Sequence, residues 1–179
     1  MPAFRKVDER TVWDGAVIRV GHGTFEGPDG SRFERDLVHH PGAVSIVPVI
    51  GDEVVLVRQY RAAIDDLLLE IPAGKRDKDG ESPEAVAHRE VVEEIGMRAG
   101  RLELLARFYN SPGFCDEDSW VFLGTDLTEA ATNFQGEEEQ HMTVERVPLA
   151  EVPALIEAGV LRDAKTIIGL TLARIRLGA

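Results

Sequence analysis

Residues 74–97 read GKRDKDGESPEAVAHREVVEEIGM, and the fold turns on how the second half of this stretch is read. Ser82 precedes Pro83 and Glu84. A serine hydroxyl caps the open N–H groups of a first turn, proline is pre-set for the first helical position, and a carboxylate there meets the positive end of the helix dipole. The pattern predicts a helix from Pro83 to about Ile95, closed by Gly96. At about 100° per residue, Glu90, Glu93 and Glu94 share an arc of about 100°, while Val91, Val92 and Ile95 occupy much of the other side as a core-facing stripe would. Exposed like charges at i,i+3 and i,i+4 repel by about 0.2–0.5 kcal/mol per pair, so this helix gains if a cation sits over the acidic face. Clustered carboxylate oxygens favour Mg²⁺ or Mn²⁺, and no Cys/His set suited to zinc accompanies them. Taken alone, three such glutamates read first as a solvated acidic face, so the surrounding sequence has to decide. Arg89 lies off the arc, within i,i+4 reach of Glu93, and reads as structural.

Outward from the helix, residues 42–49 (GAVSIVPV) and 53–57 (EVVLV) are β-branched apolar runs on either side of Gly51-Asp52 and read as buried strands. Residues 65–71 lead into Pro72-Ala73-Gly74. Before them, Val17–Val38 alternates loosely and breaks at Gly27-Pro28-Asp29-Gly30, which predicts an antiparallel hairpin or short meander. After the helix, residues 102–110, 119–127 and 143–147 read as strands, with a polar loop at 111–118. Residues 151–158 and 164–176 read as two closing helices. Strands with interspersed helices after a strand-only beginning indicate an α/β or α+β sandwich.

Composition narrows the function. With 20 Lys and Arg against 32 Asp and Glu, the formal charge is −12, which repels nucleic acid and anionic membranes. No apolar run approaches the roughly 18–20 residues of a membrane span, and residues 1–10 lack a signal-peptide apolar stretch. The one cysteine, Cys115, allows no internal disulfide and fits a reducing compartment. A soluble cytoplasmic domain is expected.

The stretch from Gly74 to Met97 resembles the Nudix box of the Nudix hydrolases. After Glu81 come seven residues and then Arg89-Glu90-Val91-Val92-Glu93-Glu94-Ile95-Gly96-Met97, which match every fixed position of that pattern. Six residues rather than five separate Gly74 from Glu81, an insertion that a polar loop accommodates cheaply. Arg58-Gln59-Tyr60-Arg61, Glu70-Ile71-Pro72-Ala73-Gly74, His40-Pro41-Gly42-Ala43-Val44 and Ser111-Pro112-Gly113-Phe114-Cys115-Asp116-Glu117 are similar to the ADP-ribose pyrophosphatase branch of the family.

The resemblance implies a Nudix α/β/α sandwich with a mixed sheet over residues 42–179. It also implies an antiparallel β segment at 1–41 that helps to form a homodimer. The implied reaction is Mg²⁺-dependent hydrolysis of ADP-ribose to AMP and ribose 5-phosphate, with Mn²⁺ as an alternative ion. Another nucleoside diphosphate sugar, such as GDP-mannose, or nucleotide sensing without turnover are the competing expectations. No nucleic-acid or membrane partner is expected.

By the same resemblance, Glu90, Glu93, Glu94 and the Ala73 carbonyl hold the metal, and the base lies in the acidic loop 137–139, at Glu138 or one residue on at Glu139. Arg58 and Arg61 are candidates for the diphosphate, whose oxygens suit guanidinium forks, or are simply ion-paired on the surface. Glu70 is a further substrate-site candidate. The loop carrying Ser111, Gly113 and Glu117 is expected to cradle the terminal ribose, or merely to connect strands. Phe33 is expected either to stack on adenine or to pack. His39 and His40, adjacent in a strand, point apart and read as structural. Cys115 has no evident base, and Trp13 and Trp120 read as packing residues.

Overall fold

Arg5–Asp14 (β1), Arg19–Glu26 (β2) and Arg32–His39 (β3) form an antiparallel three-stranded sheet in that order. They belong to a computed structural model that describes residues 3–78, 80–130 and 141–179. The β2–β3 turn is the one expected at Gly27–Gly30: the Asp29 carboxylate accepts from the Ser31 N–H at 3.0 Å and its hydroxyl at 2.6 Å, and Gly30 takes a positive φ of 81°. β1 precedes the segment in which alternation was legible. Its residues, RKVDERTVWD, carry no apolar stripe because the strand is held by pairing with β2 and not by burial. Trp13 lies on it with its ring packed over Gly15, where a Cβ would come within 2.0 Å of it, and with 54% of its surface exposed.

The chain divides into two units, Met1–Gly42 with Tyr109–Asp118, and Ala43–Phe108 with Ser119–Ala179. In the first, the loop before residue 118 joins β3. The Val38 N–H donates to the Phe114 carbonyl at 2.7 Å, and the Asp116 N–H to the Val38 carbonyl at 3.1 Å.

The second unit is built on a mixed seven-stranded sheet. Its strands are Ala43–Ile50 (β4), Glu53–Arg61 (β5), Asp66–Glu70 (β6), Ala73–Lys75 (β7), Met97–Tyr109 (β8), Asp118–Glu129 (β9) and Thr143–Pro148 (β10). The order is β10-β5-β4-β9-β8, with β6 paired to β5 and β7 to β4; β4 and β9 are parallel, whereas β5 runs antiparallel to β4, β6 and β10. Strands buried on both faces read as continuous apolar runs, and β5 shows why. Val54 and Leu56 enter one core layer, Val55 and Val57 the other.

Helix Pro83–Ile95 (α1) covers the second layer through Val86, Ala87, Val91 and Ile95. A 3₁₀ turn, Leu149–Glu151, leads into Val152–Glu157 (α2); α2 and Ala164–Leu177 (α3) close the first layer through Val152, Leu170 and Ala173. α1 begins and ends as its sequence dictates: the Ala85 N–H donates to Ser82 Oγ at 3.2 Å, and Gly96 adopts the left-handed φ of 63°. The cap contributes about 1 kcal/mol. Burying Val86, Val91 and Ile95 contributes about 1.5–3 kcal/mol each, so packing decides where this helix sits. Among the described residues no helix is long and apolar enough to cross a membrane.

Candidate active site

On α1, Glu90 and Glu94 are not a solvated face: they are 6% and 3% exposed. Both are seated against β7. The Ala73 N–H donates to Glu94 Oε2 at 3.1 Å. Gly74 makes room for Glu90, since a Cβ on residue 74 would lie 1.9 Å from the Glu90 carboxyl carbon. A carboxylate loses several kcal/mol of solvation on burial unless donors or cations replace the water.

Arg89 supplies part of that replacement. Its guanidinium lies 2.6 Å from Glu90 Oε1, donates to Glu93 Oε2 at 2.9 Å, and reaches both Glu81 oxygens at 3.3 and 3.4 Å. Burial works against the Arg89 charge, but these carboxylates overcome it and raise its pKa. The expected i,i+4 pair with Glu93 is therefore present. The contact with Glu81, eight residues away, closes the loop before the helix and was not anticipated.

Carboxylate oxygens are donors of the type that hard divalent cations take, and Gly74 leaves space for a carboxylate that any larger residue would fill. In chemistry the set Glu90, Glu93, Glu94 and Ala73 fits such an ion. The side chains are not, however, already gathered on one point: among the described residues no three His, Cys, Asp or Glu groups converge closely enough to hold a metal.

Arg58 and Arg61 sit on β5, and both forks face carboxylates. Arg58 donates to Glu145 on β10 at 2.6 and 3.1 Å, and Arg61 to Glu70 on β6 at 2.7 Å through each of two nitrogens. Glu70, 1% exposed, also accepts from Lys165 on α3. Burial alone would raise the Glu70 carboxyl, but the hydrogen bonds from Arg61 and the charges of Lys165 and Arg61 hold it below the usual carboxylate range. Arg61 is raised in turn, chiefly by the Glu70 hydrogen bond.

Phe33, Ser111, Gly113 and Glu117 belong to the first unit. Phe33 stacks on Phe25 with centroids 5.5 Å apart, meets Phe4 edge-on at 6.1 Å and lies under the Arg35 guanidinium at 4.8 Å. The Ser111 carbonyl accepts from the N–H groups of Phe114 at 3.1 Å and Cys115 at 2.9 Å, which shapes the loop. Gly113 is exposed and Glu117 half-buried. Glu138 and Glu139 lie outside the described residues, so their positions are not given.

The same unit holds a bridge that sequence alone did not reveal. His39 Nδ1 lies 2.6 Å from Asp116 Oδ2, and Nε2 lies 2.5 Å from Glu9 Oε1. Carboxylates only accept, so both ring nitrogens are best served when both carry protons. The hydrogen bonds to Asp116 and then Glu9 raise the His39 pKa. The structural reading of His39 is consistent with this; His40 accepts at Nδ1 from the Gly42 N–H at 3.0 Å. Trp120, in the second unit, lies 4.7 Å beneath the Arg107 guanidinium.

Comparison with known proteins places these features. The NUDIX domain family model matches residues 39–168. An ADP-ribose pyrophosphatase of Bacillus subtilis (strain 168) is 36% identical over 169 residues, covering 91% of each chain. A GDP-mannose pyrophosphatase of Cronobacter sakazakii is 34% identical over 170 residues, covering 91% of this chain and 82% of that one. A crystal structure described as an ADP compounds hydrolase superposes with a TM-score of 0.86 at 25% identity, over 98% of this chain and 94% of that one.

Proposed function

The chain belongs to the NUDIX family, and on that premise we propose that it hydrolyses the pyrophosphate bond of ADP-ribose, with Mg²⁺, to AMP and ribose 5-phosphate. The observation that supports this most is the seating of Glu90 and Glu94 against Ala73 and Gly74, because buried carboxylates with a glycine-shaped cradle serve no purpose on a solvated helix face.

Glu90, Glu93, Glu94 and the Ala73 carbonyl hold the ion. Bound there, it would offset the roughly two negative charges of the diphosphate and supply stabilisation of the charge that develops in an in-line displacement. An ion held there would share Glu90 and Glu93 with Arg89, which keeps the loop before α1 closed through Glu81. Arg58 and Arg61 orient the diphosphate beside their paired carboxylates, with Glu70 fixing the Arg61 fork. Glu138 or Glu139 takes the proton of the attacking water, since carboxylates committed to a cation are poor bases. Water oxygen bonds to one phosphorus, the P–O–P bridge bond breaks, and the bridging oxygen leaves with the departing phosphate. Ser111, Gly113 and Glu117 hold the terminal ribose, and Phe33 stacks on adenine. Residues 1–41 form a dimerisation segment, and the protein is a homodimer.

The similarity to a GDP-mannose pyrophosphatase favours a second reading, with the same chemistry on another nucleoside diphosphate sugar. Phosphate release from ADP-ribose in the presence of added phosphatase separates an enzyme from a sensor. Release that needs Mg²⁺, stops with EDTA and falls by orders of magnitude in Glu94→Gln is expected. Release that survives EDTA, or a fully active Glu94→Gln, would contradict the proposal.

A further inference from the structure

Lys165 is the second residue of α3, after the N-cap Asp163. A cation there faces the positive end of the helix dipole, which is the wrong end for it. Its side chain is nonetheless mostly buried, against Glu70 and against Asp163 at 2.9 Å. Thr166, next in the chain, is fully buried. Its hydroxyl donates to Asp163 Oδ2 at 2.6 Å and accepts the Ile71 N–H at 3.0 Å. The first turn of α3 therefore grips two consecutive residues, Glu70 by its side chain and Ile71 by its backbone.

Next come Pro72, which is tied to β4, and then Ala73 and Gly74, on which the α1 carboxylates rest. The Pro72 carbonyl accepts from the Ile46 N–H at 2.9 Å, Ala73 donates to Glu94, and Gly74 accommodates Glu90. Gly169 lets α3 lie close over β4, β9 and Ile71: a Cβ there would meet Val47 and Val121 at 3.0 Å and Ile71 at 3.1 Å. The path from α3 to α1 thus runs through five residues, Glu70–Gly74, each with a named contact.

We infer that Lys165 and Thr166 are positioning residues for Glu90 and Glu94, acting through residues 70–74 from the opposite face of the sheet. The inference rests on the reading of those carboxylates as holding a divalent ion. Thr166 is the sharper probe. A hydroxyl can donate to Asp163 while accepting from Ile71, whereas the isosteric Thr166→Val leaves the buried Ile71 N–H without its acceptor.

The test is Mn²⁺ binding to the substrate-free protein, read from the electron paramagnetic resonance of free Mn²⁺ well below the thermal midpoint. Thr166→Val and Lys165→Met should each weaken Mn²⁺ binding by about 10–100-fold, the usual effect of removing a supporting contact. Thr166→Ser should restore it to within about threefold, and in Thr166→Val, which touches neither Glu70 nor Arg61, KM for ADP-ribose at saturating metal should stay near that of the unaltered protein. A role confined to stability would lower the midpoint and leave Mn²⁺ affinity of the folded variants unchanged, and that result overturns the inference. Should Thr166→Val not fold by circular dichroism, Lys165→Met decides by the same criterion. If the unaltered protein neither binds Mn²⁺ nor hydrolyses ADP-ribose, the metal reading itself fails. If it does both and the variants bind Mn²⁺ normally, only the positioning role fails.

Discussion

A single Cβ at residue 74 probes the site at the scale of one atom. Gly74→Ala would place it 1.9 Å from the Glu90 carboxyl carbon, and the carboxyl, being the end of a flexible side chain, can swing away. Stability should therefore change little while metal affinity falls about 10–100-fold. Calorimetric titration with Mg²⁺ beside a thermal melt checks both, and normal affinity would mean that Glu90 does not bind there. Glu138→Gln and Glu139→Gln, made separately, test the base: one should lower kcat by about 10²–10⁴-fold with metal affinity intact. If neither lowers kcat tenfold, the proton goes elsewhere. The acidic trio was legible because helical periodicity converts spacing into a face. Its burial was not, because burial depends on Ala73 and Gly74, which reach α1 through β7 and not along the helix. Lys165 escaped notice for a related reason. Glu70 lies 95 residues away, and the one local sign was a lysine at the unfavourable end of a helix.

Elements whose apolar pattern faces a core were readable, and those held by pairing or charge were not. The α1 boundaries follow from Ser82, Pro83 and Gly96, and β4 and β5 from apolar runs; β9 and β10 lie close to the strands expected, whereas β8 begins at Met97, five residues before its expected start. β1 was implied only by the family resemblance, because its exposed, charged residues carry no period, and β6 was missed because it is short and lies on β5 alone. The His39 bridge ties β1, β3 and the loop carrying Asp116 into one assembly, and it should respond to pH. The His39 pKa is raised above 6.5, so the native state retains a proton that the unfolded chain has released. Stabilisation is then full below about pH 6.5 and is lost as pH rises through the folded value. Comparing the unaltered protein with His39→Gln isolates this contribution from that of His22, which bridges Glu34 and Asp36. The difference, about 1 kcal/mol or less given its exposure to solvent, should be greatest near pH 6 and vanish in alkali. An NMR titration of His39 with a midpoint at or below 6.5 would contradict it.

Across the whole molecule, apolar burial is uneven. Among the described residues, no apolar side chain before Val44 is buried, while Phe4, Val12 and Trp13 are each more than half exposed. Three-stranded sheets without a covered apolar face are marginal in water, so the segment up to residue 41 is expected to associate with a second copy. Sedimentation at micromolar concentration should give a dimer, and a fully active monomer would remove that role. The sandwich class was readable from the order of runs and helices, since strands buried on two faces need helices on both. The pairing of β4 with β9 was not, because a parallel contact between strands more than 70 residues apart leaves no local trace. The proposed hydrolysis of ADP-ribose is tested most directly by identifying products. Purified protein is incubated with Mg²⁺ and, in parallel, ADP-ribose or GDP-mannose, and the mixtures are resolved by ion-exchange chromatography. Equal amounts of AMP and ribose 5-phosphate, with kcat/KM at least about tenfold higher for ADP-ribose than for GDP-mannose, are the expected result. A tenfold ratio corresponds to about 1.4 kcal/mol in transition-state binding. No AMP from ADP-ribose at saturating Mg²⁺, or a clear preference for GDP-mannose, would contradict it.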